Sequence, residues 1–342
     1  MKLLNKIILI AAVALLSLST YAQEEEEPAP TFSVAGTVDT YFRSSEYAPG
    51  TSFGDLNGFA LGMANVILSY EGEKSGFVAD FVYGPRGNAA VFGSSAGSNP
   101  IVNQLYIYYN LSDSFTLTLG NFNTFLGYEV ISPSANFNYT TSYMFSYGPF
   151  SHTGIKADIA LSDDVSLMLG VLNTTDATEY MPENDDYMFG AQLGLFGQYI
   201  NFLTGGTNNA SQIDFTGGID LGDSFFLGVN ATSYSDDDLE FSGFALYPQY
   251  TFSDSFALGA RFEAFTDDSL GAIGTYVNGN QVSSIGEKGD NTSFTLTGSF
   301  TSGNMMFKPE IRIDSASDKF YTDADGPTDS LAAFIVAAIY SF

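Results

Sequence analysis

Hydrophobic and polar residues alternate along Ile101–Asn121, and this alternation predicts two strands joined by a tight turn. A period of two places one set of side chains on an apolar face and the other set on a polar face. Ser112–Ser114 forms the turn, because Asp and Ser side chains can hydrogen-bond the nearby backbone. The apolar face of the first strand holds Leu105, Ile107, Tyr109 and Leu111, and the polar face holds Gln104, Tyr106, Tyr108 and Asn110.

The same hairpin pattern recurs at Ile159–Gly170, Ile219–Gly228 and Tyr250–Gly259, with connections that alternate between short and long. Transmembrane β-barrels have short periplasmic turns, long extracellular loops and an even number of strands. We therefore predict an all-β fold, a transmembrane antiparallel up-and-down β-barrel of about sixteen strands. The predicted strands are Phe32–Arg43, Phe59–Tyr70, Gly76–Tyr83, Val102–Leu111, Phe115–Asn121, Ser151–Leu161, Val165–Leu172, Tyr187–Leu195, Tyr199–Thr204, Gln212–Leu221, Phe225–Tyr234, Glu240–Phe252, Phe256–Phe265, Ser293–Phe300, Met305–Asp314 and Leu331–Phe342.

The first 22 residues have the features of a secretory signal. Lys2 and Lys6 precede the apolar run Ile7–Leu16, and Thr20 and Ala22 are the small residues of a cleavage site. The run is short for a membrane-spanning helix, which is the alternative interpretation. We expect cleavage after Ala22, an acidic disordered tail over residues 23–31, a barrel over residues 32–342, and a location in the bacterial outer membrane.

Composition argues against several functions. The chain has 39 acidic and 11 basic residues, a net charge of −28, so nucleic acid is not an expected partner. It has no Cys and one His, which cannot build a zinc site. His152 lies next to Ser151 and Thr153, but strand geometry points both of them to the opposite face from His152, so we expect no enzyme. We also expect no metal and no cofactor.

Charged residues within the strands lie opposite the apolar set, which predicts that they face the lumen. Sixteen strands leave room for an aqueous channel, whereas eight leave room only for side chains. Basic residues on strands one, thirteen and fifteen would form a stripe on one side of the wall. The predicted pore-lining residues are Asp39, Arg43, Asp80, Lys156, Asp158, Arg261, Glu263, Lys308, Glu310 and Arg312.

The segment Asn121–Gly154 resembles the third-loop region of the β-barrel porins of Bacteroidota, the OmpL-like group. The resemblance implies passive diffusion of small hydrophilic solutes, contact with outer-membrane lipid and lipopolysaccharide, and insertion by the barrel-assembly machinery. It leaves a homotrimer open. The matching residues are Gly127, Glu129, Pro133, Asn136, Asn138, Tyr139, Ser142, Pro149, His152, Thr153 and Gly154.

The last predicted strand carries aromatic residues on one alternating face, including Phe334, Tyr340 and Phe342. This pattern is similar to the signal that outer-membrane assembly machinery recognises. We therefore predict that Phe334, Tyr340 and Phe342 form the assembly signal.

Two functions remain in competition. A diffusion porin needs a lumen narrowed by an inward loop, and the long, weakly charged segment Phe122–Phe150 fits that role, with Glu129, Pro133, Asn136, Asn138 and Tyr139 as constriction residues. A closed barrel acting as an adhesin or structural surface protein would need only its acidic loops. Acids outnumber bases at mid-height, so a porin should weakly prefer cations, with the basic stripe orienting polar solutes.

Overall fold

The computed structural model describes residues 30–91, 101–180, 186–268 and 270–342. The predicted signal and residues 23–29 of the predicted tail lie outside the described residues and stay predictions. The described chain contains two short helices, α1 (Pro85–Ala90) and α2 (Tyr143–Tyr147). Its strands are β1 (Thr31–Arg43), β2 (Tyr47–Pro49), β3 (Gly58–Glu71), β4 (Ser75–Tyr83), β5 (Val102–Ser112), β6 (Phe115–Asn123), β7 (Ser151–Ser162), β8 (Val165–Leu172), β9 (Met188–Leu195), β10 (Gln198–Gly205), β11 (Ala210–Asp220), β12 (Phe225–Ser235), β13 (Glu240–Ser253), β14 (Phe256–Asp268), β15 (Gly274–Val277), β16 (Asn280–Ser284), β17 (Lys288–Ser302), β18 (Met305–Ala316), β19 (Tyr321–Asp323), β20 (Gly326–Thr328) and β21 (Ser330–Ser341).

Sixteen of these strands form a closed antiparallel barrel, which confirms the predicted fold class and strand number. Strand β1 closes the ring, because it pairs with β3 on one side and with β21 on the other. Every backbone group in the wall can therefore bond a neighbouring strand, as a span through lipid requires. No helix among the described residues is long and apolar enough to cross a membrane.

Strand bounds agree with the prediction except near the long loops. Strand β17 begins at Lys288, five residues before the predicted start at Ser293, because its pairing with β14 continues to Asp268 opposite Lys288. Residues in this extension lack the apolar alternation on which the prediction depended. The five short strands β2, β15, β16, β19 and β20 were missed for the same reason, since they lie inside polar connections.

One face of the barrel strands is apolar and exposed, as alternation predicted. On β1, Phe32, Val34 and Val38 are 50–59% exposed, whereas Asp39 and Arg43 are 4% and 2% exposed. Phe334, Tyr340 and Phe342 are also exposed, and their role in assembly stays a prediction. An exposed apolar face of this kind is suited to contact with lipid hydrocarbon.

Several long loops pack together at one end of the barrel. Strands β2, β15 and β16 form a small sheet, and β19 and β20 form a hairpin. Apolar side chains of these loops, including Ile273, Ile285 and Tyr321, pack with Phe265 of β14 and with Tyr143 of α2. We call residues 270–287 together with 317–329 the roof. The roof therefore joins the loop that carries α2 to the rim of strands β13, β14 and β21.

Asp176, in the connection between β8 and β9, holds the start of β7. Its Oδ1 accepts hydrogen bonds from the backbone N–H groups of Phe150 and Ser151, at 2.9 and 2.8 Å. Burial raises the pKa of this carboxyl from 3.8 to about 6, although the two N–H donors act in the opposite direction. The folded state therefore binds a proton at Asp176 between about pH 4 and 6, where the unfolded chain does not.

We expect this raised pKa to lower stability as pH rises. Stability from protonated Asp176 is fully present below pH 3.8 and is lost as pH increases through 6. Asp176→Asn keeps the acceptor oxygen but cannot ionise, so the stability of wild type relative to the variant should fall by about 2–3 kcal/mol between pH 4 and 7. Thermal unfolding in detergent micelles, followed by circular dichroism, measures this difference. Asp238→Asn, at an exposed acid, should show no such trend, and parallel curves for wild type and Asp176→Asn would contradict the assignment.

Candidate functional site

The connection between β6 and β7, residues 124–150, contacts buried side chains on the inner face of the barrel. We call it the inner loop. It is two residues shorter than the predicted loop, because β6 extends to Asn123. Most of its contacts come from Tyr139–Met144, which we call the anchored segment. Only the beginning of helix α2 gives this segment regular structure, so its backbone groups need partners from elsewhere.

Three carboxylates accept hydrogen bonds from the anchored segment's backbone. Glu310 of β18 accepts from the N–H groups of Tyr139 and Thr140, at 2.7 and 3.1 Å. Glu263 of β14 accepts from the N–H groups of Tyr143 and Met144, at 3.1 and 3.0 Å. The third carboxylate, Glu129 of the inner loop itself, accepts from the N–H of Ser142 at 2.8 Å.

Basic residues of the wall bind the carbonyl groups of the same segment. Arg261 of β14 donates to the carbonyl of Thr140 at 2.7 Å and forms a 2.6 Å salt bridge with Glu129. Arg312 of β18 donates to the carbonyl of Thr141 at 2.6 Å. Both arginines are almost fully buried. The wall therefore supplies donors to carbonyl groups and acceptors to N–H groups along one short stretch of chain.

Further contacts fix Tyr139, the first residue of the anchored segment, and orient the charged groups around it. Arg312 also forms a salt bridge with Asp314, with 2.9 Å between Nε and Oδ2. Arg86 of helix α1 donates to the carbonyl of Tyr139 at 3.1 Å, and its guanidinium lies 4.3 Å from the ring centroid of Phe53. The hydroxyl of Tyr139 donates to Asp39 of β1. Charged groups from β1, α1, β14 and β18 thus converge on six residues of the inner loop.

The inner loop also reaches the opposite arc of the wall. Asp214 of β11 accepts from the N–H of Gly127 at 3.0 Å, and the amides of Asn201 and Asn230 donate to the same carboxylate at 2.8 and 2.7 Å. Gln192 of β9 donates to the carbonyl of Phe125 at 3.1 Å. The inner loop therefore spans the lumen from β18 to β9.

Glycines on the barrel strands receive large side chains of the inner loop. A Cβ added at any of these glycines would overlap the side chain that lies on it. Glycine within a strand commonly marks such a close approach. The pairs are Gly190 of β9 with Phe125, Gly228 of β12 with Tyr128, Gly243 of β13 with Met144, and Gly259 of β14 with Phe137.

The structure brings most of the predicted lumen residues into contact with the inner loop. Lys308 donates to the carbonyl groups of Pro133 and Asn136. Arg43 instead binds carbonyl groups of residues 45–54. Asp80 accepts from the amides of Asn65 and Asn103, away from the inner loop.

The basic stripe is covered rather than open to solvent. Arg43, Arg261, Lys308 and Arg312 are at most 2% exposed. The stripe was expected to orient passing polar solutes. That role needs side chains that a solute can reach, and in this structure these four side chains are covered. By contrast, Lys156 and Asp158 of β7 keep side-chain exposures of 22% and 42% and form a 2.6 Å salt bridge. Contact of any predicted residue with a solute stays a prediction.

The predicted constriction residues all lie in the inner loop. Asn136 folds a turn onto Val130, accepting from its N–H at 2.8 Å and donating to its carbonyl. The amide of Asn138 donates to Thr297 of β17 at 2.7 Å. Arg86, Gln192, Asp214 and the receiving glycines were not among the residues predicted from the sequence. Strand parity could have indicated Asp214, but the sequence carries no signal for which glycine meets which ring.

His152 has no catalytic arrangement among the described residues. Its Nε2 lies 3.0 Å from the hydroxyl oxygen of Thr124, and its ring packs 5.0 Å from that of Phe125. The residue is fully buried. His152 therefore fixes the first residues of the inner loop against β7.

Cavities lie on both sides of the inner loop. One of about 380 Å³ lies towards the short turns, between the inner loop and the ends of β12, β13, β17 and β18. The other, of about 240 Å³, lies towards the long loops and is lined by Asp176, Gln212 and Asp236 among others. We call them the short-turn cavity and the long-loop cavity.

We expect Gly259→Val to displace Phe137 and loosen the inner loop, because an added side chain overlaps that ring. Overpacking of this kind should speed modification of a buried reporter roughly tenfold to a hundredfold. The chain has no Cys, so Thr141→Cys provides a single thiol at a fully buried position. Maleimide labelling rates in detergent micelles measure the change. Gly286→Val, with nothing within 4 Å of the added Cβ, is the control, and equal rates in the two variants would contradict the packing argument.

Solved porin structures resemble this barrel. The trimer form of OmpT from Vibrio cholerae is 13% identical, with a TM-score of 0.56, and the match covers 92% of this chain and 100% of that one. An anion-selective porin from Comamonas acidovorans is 12% identical, with a TM-score of 0.56 and coverages of 92% and 100%. OmpF of Salmonella typhi in complex with daunomycin is 10% identical, with a TM-score of 0.57 and coverages of 91% and 97%. At these identities the likeness concerns the fold.

A family model gives a more specific result. The model described as "Putative beta-barrel porin-2, OmpL-like" matches residues 31–342, which is nearly the whole described chain. No curated protein matches the sequence. The family and the closed barrel together support an outer-membrane channel for passive diffusion, and they give no support for an enzyme. The chain belongs to the OmpL-like β-barrel porins.

Proposed function

We propose that this porin is a narrow channel for small hydrophilic solutes, with the inner loop as its constriction and a weak preference for cations. The anchored segment is the observation that carries the proposal. Charged wall residues bind its backbone groups directly, which holds the inner loop across the lumen. An adhesin needs only its external loops, and its function gives no reason for buried charges to hold a loop inside the barrel.

The passage for solutes lies beside the anchored segment, along the arc from β5 to β8. Inward residues there keep partial solvent contact, among them Tyr108, Asn110, Lys156 and Asp158. On the opposite arc the wall charges are covered by the inner loop, and the roof packs over the loop that carries α2. A solute would enter through the long-loop cavity and leave along the β5–β8 arc.

Charge at the short-turn end supports a preference for cations. Eight exposed acids and one exposed base lie at this rim in the described chain. Rings of carboxylates raise the local concentration of cations and favour their passage. The anion selectivity in the name of the Comamonas porin does not carry over at 12% identity. The rim acids are Glu71, Glu73, Asp113, Asp163, Asp164, Asp220, Asp223 and Asp254, and the base is Lys74.

The proposal includes a homotrimer embedded in outer-membrane lipid and lipopolysaccharide. OmpT of Vibrio cholerae, which shares the fold, is described in a trimer form. The exposed apolar face of the barrel would meet lipid over most of its circumference and a second protomer over the remainder. Insertion would depend on the barrel-assembly machinery, with Phe334, Tyr340 and Phe342 as the recognised face.

Shortening the inner loop should widen the channel. Deleting Ser132–Thr141 removes the part of the inner loop that lies over Lys308 and Glu310, so single-channel conductance in planar bilayers should rise severalfold. A deletion of the same length in the roof, residues 275–284, is the control. It keeps Ile273, Ile285 and Tyr321, which pack with Tyr143, and should change conductance much less. Unchanged conductance in a correctly folded deletion of Ser132–Thr141 would contradict the constriction.

Neutralising the rim should weaken selectivity. The triple variant Asp113→Asn, Asp223→Asn and Asp254→Asn removes three exposed carboxylates from the short-turn end. Its reversal potential in a potassium chloride gradient should move towards zero, and more so at low salt, where screening is weak. The matched control neutralises Asp318, Asp325 and Asp329 of the roof, which lie away from the passage, and should have a smaller effect. An anion-selective wild type would overturn the assignment.

A further inference from the structure

We propose that the short-turn cavity is a binding subsite for a small neutral carbohydrate, an inference that rests on the proposed channel function. The cavity has a volume of about 380 Å³, within the usual range of small-molecule sites. It lies beneath the inner loop at the short-turn end of the lumen, against β12, β13, β17 and β18, and its lining does not include the anchored segment. A solute in the lumen could therefore enter it without displacing the anchored segment.

Three aromatic rings in the lining are held in fixed positions. Tyr128 lies on Gly228, Phe137 lies on Gly259, and Phe226 lies on Gly218, and each glycine provides room for the ring that covers it. Tyr128 also stacks on Tyr247, with ring centroids 4.2 Å apart. Rings fixed in this way offer flat apolar surfaces to the C–H faces of a sugar.

Polar groups in the same lining can both donate and accept hydrogen bonds. Gln249 and Ser299 carry an amide and a hydroxyl, each of which has both capacities. Lys308 also lines the cavity, but its ammonium is almost fully buried and binds the carbonyl groups of Pro133 and Asn136, so Gln249 and Ser299 supply the hydrogen bonds to a solute. A sugar hydroxyl donates and accepts at once, and so it can satisfy both kinds of group.

The charge of the lining favours a neutral solute. Lys308 and Glu129 are its two charged residues, and they have opposite signs. Glu129 already binds Arg261 and the N–H of Ser142. The cavity therefore gives no net attraction to an ion of either sign, while its rings and amide remain suited to a hydroxylated ring of sugar size.

The test measures single-channel conductance in planar bilayers while the concentration of glucose or maltose is raised. In wild type, both sugars should reduce conductance in a saturable way, beyond the effect of a polyethylene glycol of similar size. Phe226→Ala and Gln249→Ala should each raise the half-blocking concentration roughly twofold to tenfold. Phe244→Ala removes an aromatic ring from the exposed outer face of β13, outside the cavity and the lumen, and should leave the half-blocking concentration unchanged.

The subsite is overturned if the sugars reduce conductance no more than the polymer does, or if Phe226→Ala and Gln249→Ala leave the half-blocking concentration unchanged. Either result would leave the proposed channel function standing. Absence of any conductance would instead contradict the proposed function. Saturation-transfer NMR of glucose with the detergent-solubilised protein then tests the subsite without current. Transfer that is lost in both variants supports the subsite, and no transfer in wild type overturns it.

Discussion

The interior of this barrel depends on hydrogen bonds between buried charged side chains of the wall and backbone groups of the inner loop. A buried ion is costly unless it is paired and hydrogen-bonded, and so is a buried peptide group without a partner. Glu263 and Glu310 would be strongly destabilising in an interior without donors, and the N–H groups of the anchored segment would be equally costly without acceptors. Each set removes the penalty of the other. Wall and inner loop are therefore interdependent.

Packing reinforces this electrostatic match. Where Phe125, Tyr128, Phe137 and Met144 meet the wall, the strand carries glycine, which lets each side chain approach the backbone closely. Glycine weakens a strand interior, so its presence at these positions has a cost that loop packing offsets. The same arrangement fixes the rings that line the short-turn cavity. Anchoring of the inner loop and the shape of the proposed solute site thus depend on the same contacts.

Most of the barrel could be predicted from the sequence, because a strand with lipid on one side and the lumen on the other alternates apolar and polar side chains with a period of two residues. That is why residues such as Phe32 and Asp39 could be assigned to opposite faces of β1. Strand parity also placed Arg261, Lys308 and Arg312 on the inner face, but it could not show that the inner loop covers them. That result depends on contacts between residues more than a hundred positions apart in sequence, such as Arg261 with Glu129. The roof was unpredictable for a similar reason, since β15 and β19 lie in polar segments without alternation.

Hydrogen exchange of the anchored segment tests the central claim most directly. The account predicts that the amide protons of Tyr139, Thr140, Tyr143 and Met144 exchange as slowly as those of the barrel strands, although Tyr139 and Thr140 lie outside any helix or strand. In Glu310→Ala, exchange at Tyr139 and Thr140 should accelerate while Tyr143 and Met144, held by Glu263, stay protected. Fast exchange of all four amides in wild type, at rates typical of exposed turns, would contradict the account.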